Sequence, residues 1–492
     1  MSTQQYVVLL TSDLHGRALN HLVRGRDQED LCFATWYPSR GHNRRTALIH
    51  DLILPLHGER NLHGNASFTA EYFQRSLEVA RKARSGLAFM HSHLGPGWQG
   101  MSADDIDAEQ GHAAAVKVVT KLPFVGLTAG TDGSWSARHW EKSGPKAYRK
   151  KWCSHVSVVG KKLSVTLNPN QILEKRSGSA LTRTRSAWGS GIQAILGNIT
   201  FGVVGTGSVG SLVAESLARM GVSRIKLIDF DTLEEINLDR TLHGTRENAS
   251  KRLAKVNVIA DGISRGATSS NFTVEPIEYS ICEDAGFRKA LDCDVLFSCV
   301  DRPWPRSVLN YIAYAHLIPV IDGGIRVRVK QSGLLRAADW KAHIASPHRR
   351  CLECLEQYNA GMVAVEKEGL LDNPKYIEGL PEDDDMKRNE NVFVFSMSVA
   401  SFEILQMLMM IIAPLHVADA GEQAYHFVPG IMDFERGLRC RPNCSYPKLT
   451  ALGDSSGFAV TGSQRIAEDA RTSRAKKEGF FRKVFGQFGL SK

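Results

Sequence analysis

The chain has 492 residues. At the usual ~100–200 residues per domain that is too long for one hydrophobic core, so two or more domains are expected. Apolar residues make up 43% and charged residues 23% of the sequence, which excludes a wholly disordered, collagen-like or coiled-coil chain. The 61 Lys and Arg against 52 Asp and Glu leave a net charge of +9, an excess that helps an acidic or nucleotide partner approach without pointing to nucleic acid.

In chain order, apolar-alternating runs at 6–10, 31–36, 48–54 and 156–166 and helix-like stretches at 73–83 and 103–119 predict one unit that mixes strands and helices. The opening residues lack a basic n-region and a small-residue cleavage site, so a cytoplasmic location is expected. Residues 168–186 are polar and rich in Ser, Lys and Arg, as a linker or strap would be. Strands follow at 199–204, 224–229, 294–300 and 318–322, with a glycine cluster and a helix at 211–220 after the first; this alternation predicts a parallel, doubly wound sheet. The acidic stretch 372–391 reads as an exposed crossover loop. Residues 404–416 are the most apolar, but Gln406 and Pro414 interrupt them and Glu403 precedes them, which favours a buried helix over a membrane span of ~20 apolar residues. From Arg465 onward eight Lys and Arg face three Asp and Glu, with Phe480, Phe481, Phe485 and Phe488 interleaved. A membrane-surface or partner-docking helix is one reading of that tail, and a mobile terminus, favoured by its glycines, is the other. The expected domains are 1–167, 168–450 with linker and strap at 168–190, and a basic, flexible tail at 451–492.

His91-Ser92-His93 ends an apolar run that could be a strand, where residues two apart share a face and two imidazoles converge. Ser102-Ala103-Asp104-Asp105 opens a helix-like run, so Asp105 could supply the third ligand of a zinc site with an open position. The alternative is a plain helix cap with two loop histidines. Together, His91, His93, Ser102 and Asp105 resemble the JAMM signature of the JAB/MPN metalloprotease family, which removes ubiquitin or ubiquitin-like proteins. The resemblance covers about the first 165 residues. It implies Glu29 as general base, with Glu59 as the runner-up, and Ser102 as donor to the oxyanion. The loop from His93 to Ser102 is one residue longer than is usual in that family, and Leu94 stands where proline is common. Distance from His93 therefore selects Asp104 and offset from the serine selects Asp105. The helix fixes the second relation more firmly than a loop fixes the first.

Gly205-Thr206-Gly207-Ser208-Val209-Gly210 lies between a strand and a helix, as a phosphate-binding fingerprint requires. Asp229 at the end of the next strand could hold a ribose hydroxyl. Asn237 and Arg240 come soon after it, Lys255 begins a helix, and Asp301 follows the strand at 294–300. Cations near phosphates and a carboxylate for Mg2+ suit phosphoryl or adenylyl transfer, not hydride transfer. From Arg183 to Cys444 this part resembles the ThiF/MoeB/ubiquitin-activating family, through the glycine loop, Asp229 and Asp231, Asn237 and Arg240, Lys255, and Asp301 with Arg306. The resemblance implies ATP and Mg2+ as cofactors. It also implies that Arg183, or Arg185, is the strap arginine that reaches the phosphates, often those of a partner subunit.

Cys351 and Cys354 are separated by 85 residues from Cys440 and Cys444. Such paired spacing suggests a closed, structural zinc site, as it does in the resembled family. The other cysteines are 32, 153, 282, 293 and 299, and none lies at 355–439, where relatives that form a thioester carry theirs.

The expected fold class is α/β, with a JAB/MPN metallohydrolase domain followed by a Rossmann-like ThiF domain bearing a zinc site. The expected function is bifunctional: adenylation of the C-terminal glycine of a ubiquitin-like protein, and zinc-dependent cleavage or processing of its conjugates. One catalytic and one structural Zn2+ are expected, in a homodimer that could also meet a conjugating-enzyme-like protein. Such fusions resemble prokaryotic ubiquitin-like systems, some linked to antiphage defence. The alternatives are a sulfur-carrier adenylyltransferase of cofactor biosynthesis whose first domain trims or only binds the carrier, and a scaffold whose first half is catalytically dead.

Overall fold

The computed structural model describes residues 4–23, 28–145, 147–172, 179–330, 333–378, 391–457 and 459–487, with side chains through residue 476. The first half runs β1 (Gln5–Thr11), α1 (Ser12–Leu22), β2 (Leu31–Arg40), β3 (Arg44–Ile53), β4 (Arg60–His63), β5 (Asn65–Phe68), α2 (Ala70–Lys82), β6 (Gly86–Ser92), α3 (Ala103–Thr120), β7 (Phe124–Ala129), β8 (Trp135–Lys142), β9 (Tyr148–Trp152), β10 (His155–Val159) and β11 (Leu163–Leu167). Apart from the β4–β5 hairpin, these strands form one mixed sheet in the order β11-β10-β1-β3-β2-β6-β7-β8-β9. Alternation decides its faces. Phe33, Leu87 and Phe89 pack with Tyr72, Phe73, Ala113 and Val116 of α2 and α3, whereas Ala34, Ala88 and Met90 pack with Leu14, Ala18 and Leu22 of α1. Strands covered on both faces carry the continuous apolar runs seen in the sequence. The run at 156–166 is two strands, because the chain turns at 160–162 and β10 pairs antiparallel with β11.

The second half continues with α4 (Thr182–Asn198), β12 (Thr200–Val204), α5 (Ser208–Arg219), β13 (Arg224–Ile228), α6 (Arg246–Ser250), α7 (Lys255–Gly266), β14 (Thr273–Ile277), α8 (Asp284–Ala290), β15 (Val295–Ser298), α9 (Pro303–Ala315), β16 (Val320–Val329), β17 (Leu335–Ala345), α10 (Ala360–Lys367), α11 (Pro374–Glu378), α12 (Phe393–Ile412), β18 (Glu422–His426), β19 (Ile431–Glu435) and α13 (Arg465–Gln487). Its sheet has the order β14-β13-β12-β15-β16-β17-β18-β19, parallel as far as β16 and antiparallel beyond. Strand order reverses between β12 and β15, the switch point where such sheets open a crevice at their carboxyl ends. Helix α12 is long and apolar enough, by length and composition alone, to cross a membrane. Here it lies against α5, β16 and β17, with Val399, Met407 and Met410 buried and with Glu403 and Gln406 buried beside them.

The halves share a core in which Val7, Leu9, Leu48, Val159 and Leu163 join Leu196, Phe201, Val203 and Leu217. The segment after 451, expected to be a flexible tail, is instead docked as far as Arg474. Trp304 Nε1 donates to the carbonyl of Val460 at 2.9 Å, Ala467 is buried, and Arg471 and Arg474 bind Glu283 and Glu278. Composition counted its charges but could not show their partners, which lie almost two hundred residues upstream. The phenylalanine side chains at 480, 481, 485 and 488, like most of the crossover loop (379–390), lie outside the described residues.

Candidate functional site

In the first half, His91 shares the face of Leu87 and Phe89 on β6, and its ring stacks on Phe89. His93 follows two residues on. Helix α3 begins beneath them with a reciprocal cap: Asp105 N–H donates to Ser102 Oγ at 3.1 Å, and Ser102 N–H donates to Asp105 Oδ2 at 2.8 Å. This brings Asp105 to the histidines and leaves Asp104, one residue earlier on the same turn, exposed. Asp105 Oδ1 lies 3.3 Å from His91 Nε2, Asp105 Oδ2 lies 3.3 Å from His93 Nε2, and the two Nε2 atoms are 3.2 Å apart. Ligands about 2.05 Å from a tetrahedral zinc stand about 3.3 Å from one another; the two imidazoles match that spacing, and Asp105 meets each of them through a different oxygen, so the three side chains converge closely enough to hold one ion. Burial opposes the charge of Asp105, but hydrogen bonding to His91 and His93 outweighs it and holds the carboxyl far below the ordinary range.

Glu29, just before β2, is half-buried, with its N–H donating to the carbonyl of Gly64. Burial pushes its carboxyl up, the charge of His93 pulls it down, and Asp105 pushes it up again. Those interactions bring Glu29 within electrostatic reach of the triad. Glu59 is engaged elsewhere: Arg75 donates to its two oxygens at 2.8 and 2.6 Å, and hydrogen bonding from Arg75 lowers its carboxyl. The sequence reading missed the layer behind the histidines. Thr128, opposite His91 in the register of β6 with β7, places Oγ1 3.3 Å from His91 Nε2 and accepts from Arg138 Nη1 at 2.5 Å. Arg138 pairs with Glu109, and both are fully buried. A Cβ at Gly126 would stand 2.3 Å from Glu109 Oε2, so this position needs glycine. The available signal was Glu109 itself, four residues after Asp105 on one helix face.

In the second half, the glycine loop follows β12 at the switch point. Gly205 has φ +84°, and a Cβ there would stand 2.4 Å from the Cys299 carbonyl; at Gly210 it would stand 1.8 Å from the Gly205 carbonyl. At Gly207 it would meet nothing within 4 Å, so that face of the loop is open to a phosphate. Asp229 Oδ2 accepts from Thr206 N–H at 2.7 Å, and its Oδ1 accepts from Asp231 N–H at 2.9 Å. Lys255 Nζ lies 3.0 Å from Asp231 Oδ2. Burial works against the charge of Lys255, but Asp229, Asp231 and Asp301 outweigh it and raise its ammonium; burial, then Asp229, pushes Asp231 up. Asp301 is exposed after β15. The structure thus gathers Gly207, Asp229, Asp231, Lys255 and Asp301. Asn237 caps its own turn, its Oδ1 accepting from Glu234 N–H, and Arg240 is tied to the Ile236 carbonyl and Asp239. Arg306 is bound to Asp322 and to the carbonyls of Gln357 and Gly323, a framework role. Arg183 stands exposed on the first turn of α4, which packs against β11 and α12; Arg185 is half-buried on the same helix.

Cys351, Cys354, Cys440 and Cys444 converge, with the sulfurs of Cys351 and Cys444 3.7 Å apart. Thiolates about 2.3 Å from a tetrahedral zinc stand about 3.8 Å apart. Backbone N–H groups of Cys351, Cys354 and Arg441 point at the sulfurs of Cys440, Cys351 and Cys354, as suits thiolate charge. The thiols of Cys32, Cys153, Cys282, Cys293 and Cys299 are all pushed up by burial.

Residues 181–420 match the ThiF family. The chain is 29% identical over 159 residues to the molybdopterin-synthase adenylyltransferase of Salmonella typhimurium, covering 32% of this chain and 60% of that protein. It is 30% identical over 122 residues to ubiquitin-like modifier-activating enzyme 5 of Bombyx mori, covering 23% of this chain and 30% of that one. Among solved structures, E. coli MccB aligns with a TM-score of 0.41 at 19% identity, covering 56% of this chain and 73% of MccB. The chain therefore spans three-fifths or less of the length of these curated relatives.

Proposed function

We propose that this chain, whose residues 181–420 form a ThiF-family domain, activates the C-terminal carboxylate of a ubiquitin-like or sulfur-carrier protein as an acyl adenylate. The reading rests on one observation: the open face of Gly207, Asp229, Asp231, Lys255 and Asp301 share the carboxyl end of the parallel strands at the switch point. In the reaction the carrier carboxylate oxygen attacks the α-phosphorus of ATP, the bond to the bridging oxygen breaks, and pyrophosphate leaves. The glycine loop admits the phosphates, Asp229 holds ribose, and Lys255 offsets charge that grows on the α-phosphate. Arg240 and Arg183 would join on binding, Arg183 from a partner copy in a homodimer. Asp301 would hold Mg2+, which supplies charge compensation for the departing pyrophosphate.

In the same reading the first half is a JAB/MPN-type peptidase for the carrier's conjugates or precursor. His91, His93 and Asp105 converge closely enough to hold zinc, which when bound would supply Lewis acidity for hydrolysis. Glu29, its carboxyl raised by burial, takes a proton from the attacking water and returns it to the leaving amine. Ser102 Oγ, already accepting from Asp105 N–H, keeps its own hydrogen free to donate to the oxyanion. The handover partner distinguishes conjugation from sulfur transfer: an external thiol of a conjugating-enzyme-like protein in the first, a sulfur donor in the second.

The test is ATP–pyrophosphate exchange with and without a ubiquitin-like protein ending in glycine. Exchange should need that partner and should nearly vanish in Asp301→Ala. Undiminished exchange in Asp301→Ala would remove Asp301 from the site, and exchange independent of any carrier would remove the activating reading.

A further inference from the structure

The C-terminal helix reaches the turn that carries the nucleotide-site carboxylates. Arg474 Nη1 donates to the carbonyl of Phe230 at 2.8 Å, and its Nε donates to Glu278 Oε2 at 2.8 Å. Phe230 stands between Asp229 and Asp231, immediately after β13. Glu278, just beyond β14, also accepts from Asn257 Nδ2 at 2.7 Å, and Asn257 lies two residues after Lys255 on α7. Arg474 is thus the node at which α13, the ends of β13 and β14, and α7 meet. Its side chain is 12% exposed, and its Nη2 is buried with no hydrogen-bond partner among the described residues. Such a residue is costly to bury unless its bonds matter to the fold or the site. A second arginine docks the same helix without touching the Asp229–Asp231 turn: Arg471 pairs with Glu283, donates to the backbone carbonyl of Glu278 at 3.4 Å and lies over the ring of Tyr279, 4.3 Å from its centroid. The two contacts can therefore be separated by mutation.

We propose that Arg474 is a positioning residue for the nucleotide. By holding the Phe230 carbonyl it fixes the Asp229–Asp231 turn in the conformation that receives ribose and orients Lys255, so that the C-terminal helix is an integral wall of the ATP site. This rests on the adenylation reading above. The order established in advance by that contact is binding energy that the nucleotide need not supply.

The experiment measures binding of a fluorescent ATP analogue to the full-length chain, alongside KM for ATP and kcat in carrier-dependent exchange. Arg474→Ala should weaken binding and raise KM on the order of tenfold, the loss expected for one charge-assisted bond, with kcat within about twofold. Arg471→Ala should keep nucleotide affinity within about twofold. If Arg474→Ala lowers the melting temperature, Arg474→Gln, which keeps the apolar stem and a donor at the position of Nε but lacks the Nη1 that holds the Phe230 carbonyl, replaces it in the same comparison. Unchanged affinity in the Arg474 variants overturns the proposal, and so does an equal loss in Arg471→Ala, which would assign the effect to docking of the helix. Failure of the unmutated protein to bind the analogue would overturn the adenylation reading itself.

Discussion

The choice of Asp105 over Asp104 illustrates what can be read at the scale of single residues. The cap fixes Ser102 to Asp105 through two hydrogen bonds, so the extra residue in the loop after His93 is absorbed before the helix begins. Glu29 and Glu59 differ in a way that spacing does not reveal, because Arg75, which occupies Glu59, lies on α2. We expect Glu29→Gln to stop cleavage of a carrier fusion while zinc stays bound and adenylation continues, since a base that is not a ligand affects rate rather than metal affinity. Glu59→Gln should cleave normally. Cleavage assays on the two variants decide it, and the reverse pattern would transfer the role to Glu59. The residues that the sequence left unread are those whose meaning depends on a distant partner: Thr128, Arg138 and Glu109 become one buried polar cluster behind His91 only once β6, β7, β8 and α3 are side by side.

At the scale of elements, four of the five parallel strands of the second half were legible because each is a short apolar run punctuated by glycine or a helical period, and β14 was not, because Glu275 and Pro276 interrupt it. Strands β8 and β9 were not, since Arg138, His139, Arg149 and Lys150 break the apolar alternation. The charge on Arg138 is buried against Glu109, a compensation that no local pattern carries. Helix α13 was read as a tail for the same reason. The two metal-capable clusters sit on different kinds of element, and this predicts different consequences of losing them. Cys351→Ser should lose one zinc and lower the melting temperature clearly, because a closed thiolate site contributes folding energy. His93→Ala, at the rim of an open site with its side chain 19% exposed, should lose the other zinc with little change in melting temperature. Metal analysis of the two variants checks this, and a single zinc per chain untouched by His93→Ala would rule out the hydrolytic site.

On the scale of the whole molecule, the halves are bound more tightly than a linker between separate domains would suggest. Asp294, at the mouth of β15, forms an ion pair with Arg44 Nη1 at 2.7 Å and lies 2.9 Å from His155 Nε2, both from the first half; its other oxygen accepts from Thr200 N–H. Arg349, two residues before Cys351, donates to the carbonyl of Lys161 and pairs with Asp419. His316 faces Ser39 across the junction at 2.8 Å. Burial holds His316 down to about 3, and holds His139 and His343 down to about 4. Each of these folded-state values lies below the unfolded value near 6.5, so the unfolded chain binds more protons in between and stability rises with pH there. Their contribution is complete above about pH 6.5 and is lost as pH falls toward 4. Denaturant titrations from pH 7 to pH 4 should show that decline, with both halves unfolding in one transition. Separate transitions, or stability unchanged over that range, would contradict the shared core.

In the proposed reaction the second half makes an acyl adenylate on a carrier's C-terminus and does not hold the carrier as a thioester. No cysteine lies at 355–439, and the five outside the Cys351 cluster are held as thiols by burial. Intact-mass analysis of a single-turnover reaction with ATP and a glycine-ended ubiquitin-like protein tests this most directly. The expected product is carrier bearing AMP, with no species in which carrier is joined to this chain through a reducible bond. Carrier that stays unmodified while ATP is consumed, or a reducing-agent-sensitive adduct on Cys32, Cys153, Cys282, Cys293 or Cys299, would contradict it.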